Sequence, residues 1–276
     1  MKILFFGVFK DTSTNVSQSA GLRKLGIEVI DYNYRGQNDD FLINKCKEER
    51  PDLVIFSKCN EIGSQVVDEC NKISKTCMWY MDPINYNWND RLREKIGKCS
   101  FTCCAKEKAV ELGKKNTDKI IRIIEGFDPK IDYPRNLTQD IDVSFIGNMY
   151  NNRNSILKPL GIQIFNDAYT NKHAEVVSRS KININLCTNR CESDRVYKIL
   201  AAGGFLLTDQ WDGIIFKDRI DLVIFNTKEE LKEKIDYYLN NSEEREKIRI
   251  AGRTAVQKYS RDNWAKQLMD YYEHIK

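Results

Sequence analysis

The chain has 276 residues, of which 41% are hydrophobic and 30% charged, and carries 44 basic against 40 acidic side chains for a net charge of +4. Such a length holds two ordinary domains or one large one, and the composition is that of a water-soluble globular protein. The basic excess is too weak to imply nucleic acid by itself, and no apolar run approaches the roughly 18 residues a membrane span requires.

The apolar start, residues 1–9, is stopped by Lys10 and Asp11 and has no small-residue cleavage site, so it reads as a first strand and not as a signal peptide. Further strands are expected at 28–32, 52–57, 76–80, 101–104 and 119–124, the first being 2–8. Helical patterns lie between them at 16–25, 40–49, 63–73, 88–96 and 106–112. Short apolar runs separated by helical segments of this kind make βαβ units and a parallel sheet.

Residues 125–140, with two prolines, one glycine and few apolar side chains, break the rhythm and predict a linker over 126–140. Alternation then resumes with strands at 141–146, 162–165, 181–186, 205–208 and 222–225. Helices are expected at 153–157, 172–178, from Asp194, at 228–239 behind a Thr227–Glu230 capping box, from Ser242 to about Tyr259, and at 261–275. The expectation is α/β: two Rossmann-like parallel-sheet domains, 1–125 and 141–276, facing a central cleft and closed by C-terminal helices, the last packing back toward the first domain.

Nine cysteines, an odd number with no Cys-x-x-Cys pair, and only two histidines, read as surface residues, supply no zinc-ligand spacing. Buried free thiols in a reducing cytoplasm account for them.

The most informative stretch is 194–209, DRVYKILAAGGFLLTD. It is an amphipathic helix that closes on Gly203-Gly204 and runs into an apolar strand, the form of an α/β crossover. Arg195 and Lys198 share one helical face and can point at one anion; an Asp194–Lys198 pair at i, i+4 on a solvated face is the alternative. The helix follows a strand and a polar loop, and ligands of open α/β sheets bind at strand carboxyl ends and helix amino termini, which favours the anion site.

These features resemble the GT-B glycosyltransferases, most closely the CgeB-like enzymes related to spore-maturation proteins. The resemblance rests on 141–153 (IDVSFIGNMYNNR), 180–186 (SKININL), 193–209 and 228–252, and in the first half on MWYMDP at 78–83. It implies transfer of a sugar from a nucleotide-diphosphate sugar to a hydroxyl acceptor, independent of metal and of any tightly bound cofactor, the nucleotide sugar being a co-substrate. The donor is then held mainly by the second domain and the acceptor (a glycan, a protein or a small molecule) by the first.

Departure of a nucleoside diphosphate leaves negative charge to be stabilised. Gly147 and Asn148, after the strand 141–146, can let a phosphate approach the backbone, and Arg153 can grip it; a surface arginine at a helix start is the plain alternative. Arg195 is the second donor-diphosphate candidate and Tyr197 can line the ribose or sugar, or be a core aromatic. Many GT-B enzymes place a glutamate for the ribose just before the small-residue pair; here the residue is Lys198, which cannot accept hydroxyl hydrogen bonds.

In the first domain the turn of Gly7, Lys10 and Asp11 is expected to border the cleft or acceptor, as is Trp79. Asp82, shielded by Trp79 and Tyr80 and followed by Pro83, is the expected catalytic base or, in a retaining enzyme, an acceptor-positioning carboxylate. Trp79, Tyr80, Tyr86 and Trp88 can stack on sugars or bases, or form core and cleft wall. Two other functions compete. One is a viral-type transferase acting on hydroxymethyl-pyrimidine DNA bases, with a groove built from Lys98, Lys106, Lys108, Lys114 and Lys115. The other is an inactive nucleotide- or sugar-binding module, which Lys198 supports.

Overall fold

The computed structural model of the protein describes residues 1–82, 88–150, 153–188 and 190–275; Pro83 and Tyr86 lie outside them. The chain forms two compact units, one of Met1–Glu125 with Arg261–Lys276 and one of Gly126–Ser260.

The first unit carries a six-stranded sheet of β1 (Lys2–Gly7), β2 (Glu28–Asn33), β3 (Leu53–Ser57), β4 (Lys75–Tyr80), β5 (Phe101–Cys104) and β6 (Ile120–Arg122), in the order β2-β1-β3-β4-β5-β6. Every pairing is parallel; Ile3, for example, sits beside Val29 on one side and Leu53 on the other. Strands buried on both faces read as continuous apolar runs, which is why LVIFS and KILFFG show no polar alternation.

The two faces carry separate cores. Leu4, Phe6, Val54, Phe56, Met78 and Tyr80 pack against α2 (Asp39–Glu49), α3 (Ser64–Asn71) and α4 (Asp90–Lys98), while α5 (Glu107–Gly113) follows β5. Ile3, Phe5, Ile55, Cys77 and Trp79 pack against Leu22 of α1 (Thr14–Lys24) and against Trp264 and Leu268 of the last helix, Arg261–His274.

The second unit carries a five-stranded parallel sheet, β7 (Ile141–Ile146), β8 (Gln163–Phe165), β9 (Ser180–Asn185), β10 (Leu206–Asp209) and β11 (Val223–Phe225), in the order β11-β10-β9-β7-β8. Its helices are α6 (Arg153–Leu157), α7 (Thr170–Arg179), α8 (Asp194–Ala201), α9 (Lys228–Asn240) and α10 (Ser242–Val256), and the last helix of the chain is α11. Helix α8 ends as the sequence requires. Gly203 takes φ +75°, its N–H bonds to Leu200 O, and the Gly204 N–H bonds to Ile199 O, which is a Schellman closure.

Residues 126–140 pack as part of the second unit. Phe127 N donates to Tyr259 O at 3.2 Å and Arg135 N to Ser178 Oγ at 2.9 Å. His173, expected at the surface, is instead 6% exposed, because α7 turns that side chain toward β7, β9 and α8. Among the described residues no cysteine forms a disulfide, and seven of the nine are buried. Among the described residues no helix is long and apolar enough to cross a membrane.

Candidate functional site

In the second sheet the chain runs outward from β7 to β8 on one side and from β9 to β10 and β11 on the other. The reversal point is therefore between the carboxyl ends of β7 and β9, where open α/β sheets hold their ligands. Arg153 spans this point. Its Nη1 donates to Asn148 O, after β7, and its Nη2 to Leu186 O, after β9, both at 2.8 Å. A third, longer bond reaches Thr188 Oγ1 at 3.4 Å. The side chain is 4% exposed, so it is a built-in strut and not a surface arginine.

Arg195, in the first turn of α8, stands beside it. Its Nη1 donates to Asn185 Oδ1 at 2.8 Å, and its guanidinium carbon lies 5.2 Å from the centre of the Phe145 ring, which Arg153 approaches to 5.3 Å. Two guanidinium groups thus share one aromatic ring. Arg195 is deeply enclosed yet keeps part of its surface open. Burial, and then the charge of Arg153, pull its pKa below the usual value. Among the described residues no carboxylate lies within 4.0 Å of either guanidinium.

Tyr150 reports the same field. Burial pushes its hydroxyl up, but the hydrogen bond from Thr188 and the charges of Arg153 and Arg195 outweigh it, and the net shift is downward. The Tyr150 ring takes the Arg153 guanidinium at 4.2 Å, while the tyrosine itself remains exposed. Behind the arginines Asp209, at the end of β10, accepts from Cys187 N at 2.7 Å, and burial raises its pKa.

Sequence reasoning missed Phe145, Asn185 and Tyr150. Asn185 is fully buried; its Nδ2 donates to Thr208 Oγ1 at 3.0 Å and to Cys187 Sγ at 3.3 Å, which fixes Oδ1 toward Arg195. A signal existed. Asparagines in the apolar strand SKININL have to be hydrogen-bonded inside the sheet.

The remaining donor-side candidates divide. Gly147 has φ +140° and lies under the Arg195 guanidinium, but its N–H is taken by Phe165 O at 2.9 Å and is not offered to a phosphate. Asn148 is exposed and contributes its carbonyl to Arg153. Lys198 pairs with Asp194 one turn earlier, the i, i+4 contact that the spacing offered as the alternative. Tyr197 is 1% exposed, its hydroxyl bonds Glu192, and its ring packs on Phe216 and Tyr259. Its ring is packed as a core aromatic.

In the first unit the corresponding reversal lies between β1 and β3. Gly7 ends β1, and Asn15 closes the turn after it, accepting from Val8 N at 2.9 Å and donating to Ser57 Oγ at 2.9 Å. Lys10 and Asp11 are exposed in the turn. Asp82, just past β4, is partly exposed and pairs with Lys58, just past β3, at 2.5 Å. The expected shielding of Asp82 by Trp79 is overturned. Trp79 is fully buried and its ring meets Trp264 at 5.3 Å, since alternate residues of β4 face opposite sides of the sheet. Trp79 is accordingly core, not acceptor wall. Tyr80 packs on the other face, against Trp88.

The five lysines expected to line a DNA groove are mostly committed. Lys98 pairs with Asp68 and Glu94, Lys106 is buried against Glu125, and Lys108 pairs with Glu111, while Lys114 and Lys115 are exposed. Among the described residues no group of three or more His, Cys, Asp or Glu side chains is placed to hold a metal ion.

No curated protein sequence matches the chain. Its fold is that of solved GT-B structures. Anabaena HepE in complex with UDP-glucose superposes with a TM-score of 0.74 at 9% identity, covering 99% of this chain and 100% of that one. Sucrose-phosphate synthase from Thermosynechococcus elongatus gives 0.69 at 10% identity over 99% and 98%. AviGT4, a glycosyltransferase involved in avilamycin A biosynthesis, gives 0.68 at 8% identity over 99% and 97%. The sequence profile of one family, described as Glycosyl transferase-like, matches residues 133–270, half of the chain, including the whole Arg153–Arg195 region. The protein belongs to this glycosyltransferase-like family.

Proposed function

We propose that this protein transfers a sugar from a nucleoside diphosphate sugar to a hydroxyl acceptor, and that Arg195, beside Arg153, binds the diphosphate. The observation that carries this reading is the pair of guanidinium groups at the reversal point of the second sheet with, among the described residues, no carboxylate within 4.0 Å of either. Two adjacent cations with no carboxylate in direct contact are costly unless an anion completes the site. The diphosphate that leaves in sugar transfer is such an anion, and its growing charge is what the site stabilises. The positive charge then comes from arginine, and the reaction runs without a metal ion.

Within the family we assign the chain to the CgeB-like group, on the run 193–209 and the Asp82 segment. Hexosyl donors fit this reading, and the UDP-glucose bound in HepE makes UDP-hexoses the first to test. Because the Lys198 ammonium is a donor only, the ribose must find its acceptors elsewhere, which leaves the nucleotide open to GDP, ADP and TDP as well. Asp82 takes the proton of the acceptor hydroxyl in this scheme. That no disulfide forms among the described residues supports a cytoplasmic setting. The acceptor is a glycan, protein or small molecule; the commitment of Lys98, Lys106 and Lys108 to carboxylates speaks against DNA.

A thermal-shift screen against free nucleotides and UDP-, GDP-, ADP- and TDP-sugars tests the proposal, since a ligand of the native state raises the melting temperature. Stabilisation by one nucleotide, followed by release of that nucleoside diphosphate in the presence of EDTA, is the expected result. Binding with no turnover of any sugar would instead make the protein a nucleotide- or sugar-binding module.

A further inference from the structure

The first unit holds an ion pair that the reading above does not use. Lys58 follows β3 at the reversal point of the first sheet, and its Nζ lies 2.5 Å from Asp82 Oδ1. Both side chains are partly open to solvent. Among the described residues Lys58 is the one hydrogen-bond partner of the Asp82 carboxylate, so Oδ2 is left to accept from something else.

The loop that presents Lys58 is made for the purpose. Lys58 and Cys59 have φ of +62° and +46°, two successive left-handed residues of which neither is glycine. Such a turn persists only when its surroundings hold it. The holding group is Lys95 of α4, which is fully buried; its ammonium donates to Cys59 O at 2.5 Å and to Ile62 O at 3.2 Å. No carboxylate among the described residues lies within 4.0 Å of that ammonium. Lys58 N donates to Trp79 O at 2.9 Å, and Gly63 N to the Asp39 carboxylate at 3.1 Å, so both ends of the loop are tied down. A buried lysine spent wholly on backbone carbonyls is an expensive way to shape a surface loop. The loop's outward product is the position of the Lys58 ammonium.

We infer that Lys58 is a positioning residue for Asp82: it grips Oδ1 and turns Oδ2 to the acceptor hydroxyl, while Lys95 fixes the loop that carries it. The inference rests on the transferase reading for the chemistry but not for the geometry. In the reacting complex the acceptor O–H bond breaks and its proton passes to Asp82 Oδ2. The oxygen's electron pair forms the bond to the anomeric carbon, and the bond from that carbon to the diphosphate breaks, its electrons leaving on the diphosphate. Lys58 keeps its own protons throughout.

Lys58→Met, Lys58→Arg, Asp82→Asn and the Lys58→Met/Asp82→Asn double variant test this in the full chain. In urea unfolding the two single substitutions should be non-additive, the double variant losing less than the singles together. Additive effects would show that the pair does not form in solution and would overturn the inference whether or not the protein is a transferase. With the donor found by the thermal-shift screen, Lys58→Met should lower kcat tenfold or more with the KM for donor unchanged, and Lys58→Arg should recover part of the loss. An unchanged kcat in Lys58→Met would equally end the assignment. Failure of the wild-type protein to bind any nucleotide removes the transferase reading alone, because the unfolding cycle still decides the pair.

Discussion

Gly147 and Arg195 are fitted to one another. A Cβ on Gly147 would stand 2.7 Å from Arg195 Nη2 and 3.2 Å from its Cζ, and the glycine's φ of +140° is one that other residues avoid. The end of β7 thus leaves just enough room for a guanidinium to lie over the backbone. Gly147→Ala should both destabilise the protein, by about 1–3 kcal/mol from backbone strain, and displace Arg195. Chemical unfolding reads the first effect and nucleotide titration the second; retention of full nucleotide affinity would separate Gly147 from the anion site.

Arg195→Ala should weaken binding of the nucleoside diphosphate by about 1.5–3 kcal/mol, or roughly 10- to 150-fold, the range for a charge-assisted hydrogen bond. Calorimetric titration with UDP is the direct measurement. Arg195→Lys should recover little, since one ammonium cannot both donate to Asn185 and present a planar fork to phosphate. Arg153→Ala is a poorer probe. It strips Asn148 O and Leu186 O of their buried donor, so its effect on binding will be mixed with a loss of stability.

Tyr197→Phe separates core from site. Removal of the hydroxyl leaves the ring packing on Phe216 and Tyr259 intact but costs the bond to Glu192, a loss of about 1 kcal/mol or somewhat more. Stability should fall while nucleotide affinity does not change. A tenfold loss of affinity in this variant would return Tyr197 to the binding site.

His173 makes stability depend on pH. Its burial, then the charges of Lys198 and Arg195, lower its pKa from 6.5 to about 3, with Asp194 opposing them. Below pH 6.5 the unfolded chain therefore binds a proton that the folded chain refuses. Stability is full above that value and drains away as pH falls toward 3, by up to about 1.4 kcal/mol per pH unit from this group. Urea unfolding between pH 7 and 4.5 should show this slope, and His173→Leu should flatten it. An equal slope in the variant would place the acid sensitivity in the carboxylates.

Much of this was legible along the chain. The alternation of apolar runs and helical patterns determined two parallel sheets, because strands buried on both faces have no polar positions to hide. Gly203-Gly204 marked a helix end that the structure closes as a Schellman turn, since a left-handed C-terminal residue is a local requirement. The stretch holding Arg195 was found for the same kind of reason: a charged residue just inside a helix that follows a strand sits at the ligand end of the sheet.

Side-chain direction was decided only by tertiary packing. No local pattern tells whether Trp79 or Tyr80 turns to a given face of β4, or that His173 is roofed over by its neighbours. Arg153 and Arg195 are separated by more than 40 positions in sequence, and only the order β9-β7, which sets the carboxyl ends of two non-consecutive strands side by side, brings their guanidinium groups to one phenylalanine ring. Lys58 and Asp82 meet because β3 and β4, consecutive in sequence, pair in parallel and so end side by side. Sequence period fixes which elements form; the parallel sheet, through its strand order, fixes which distant charges become neighbours.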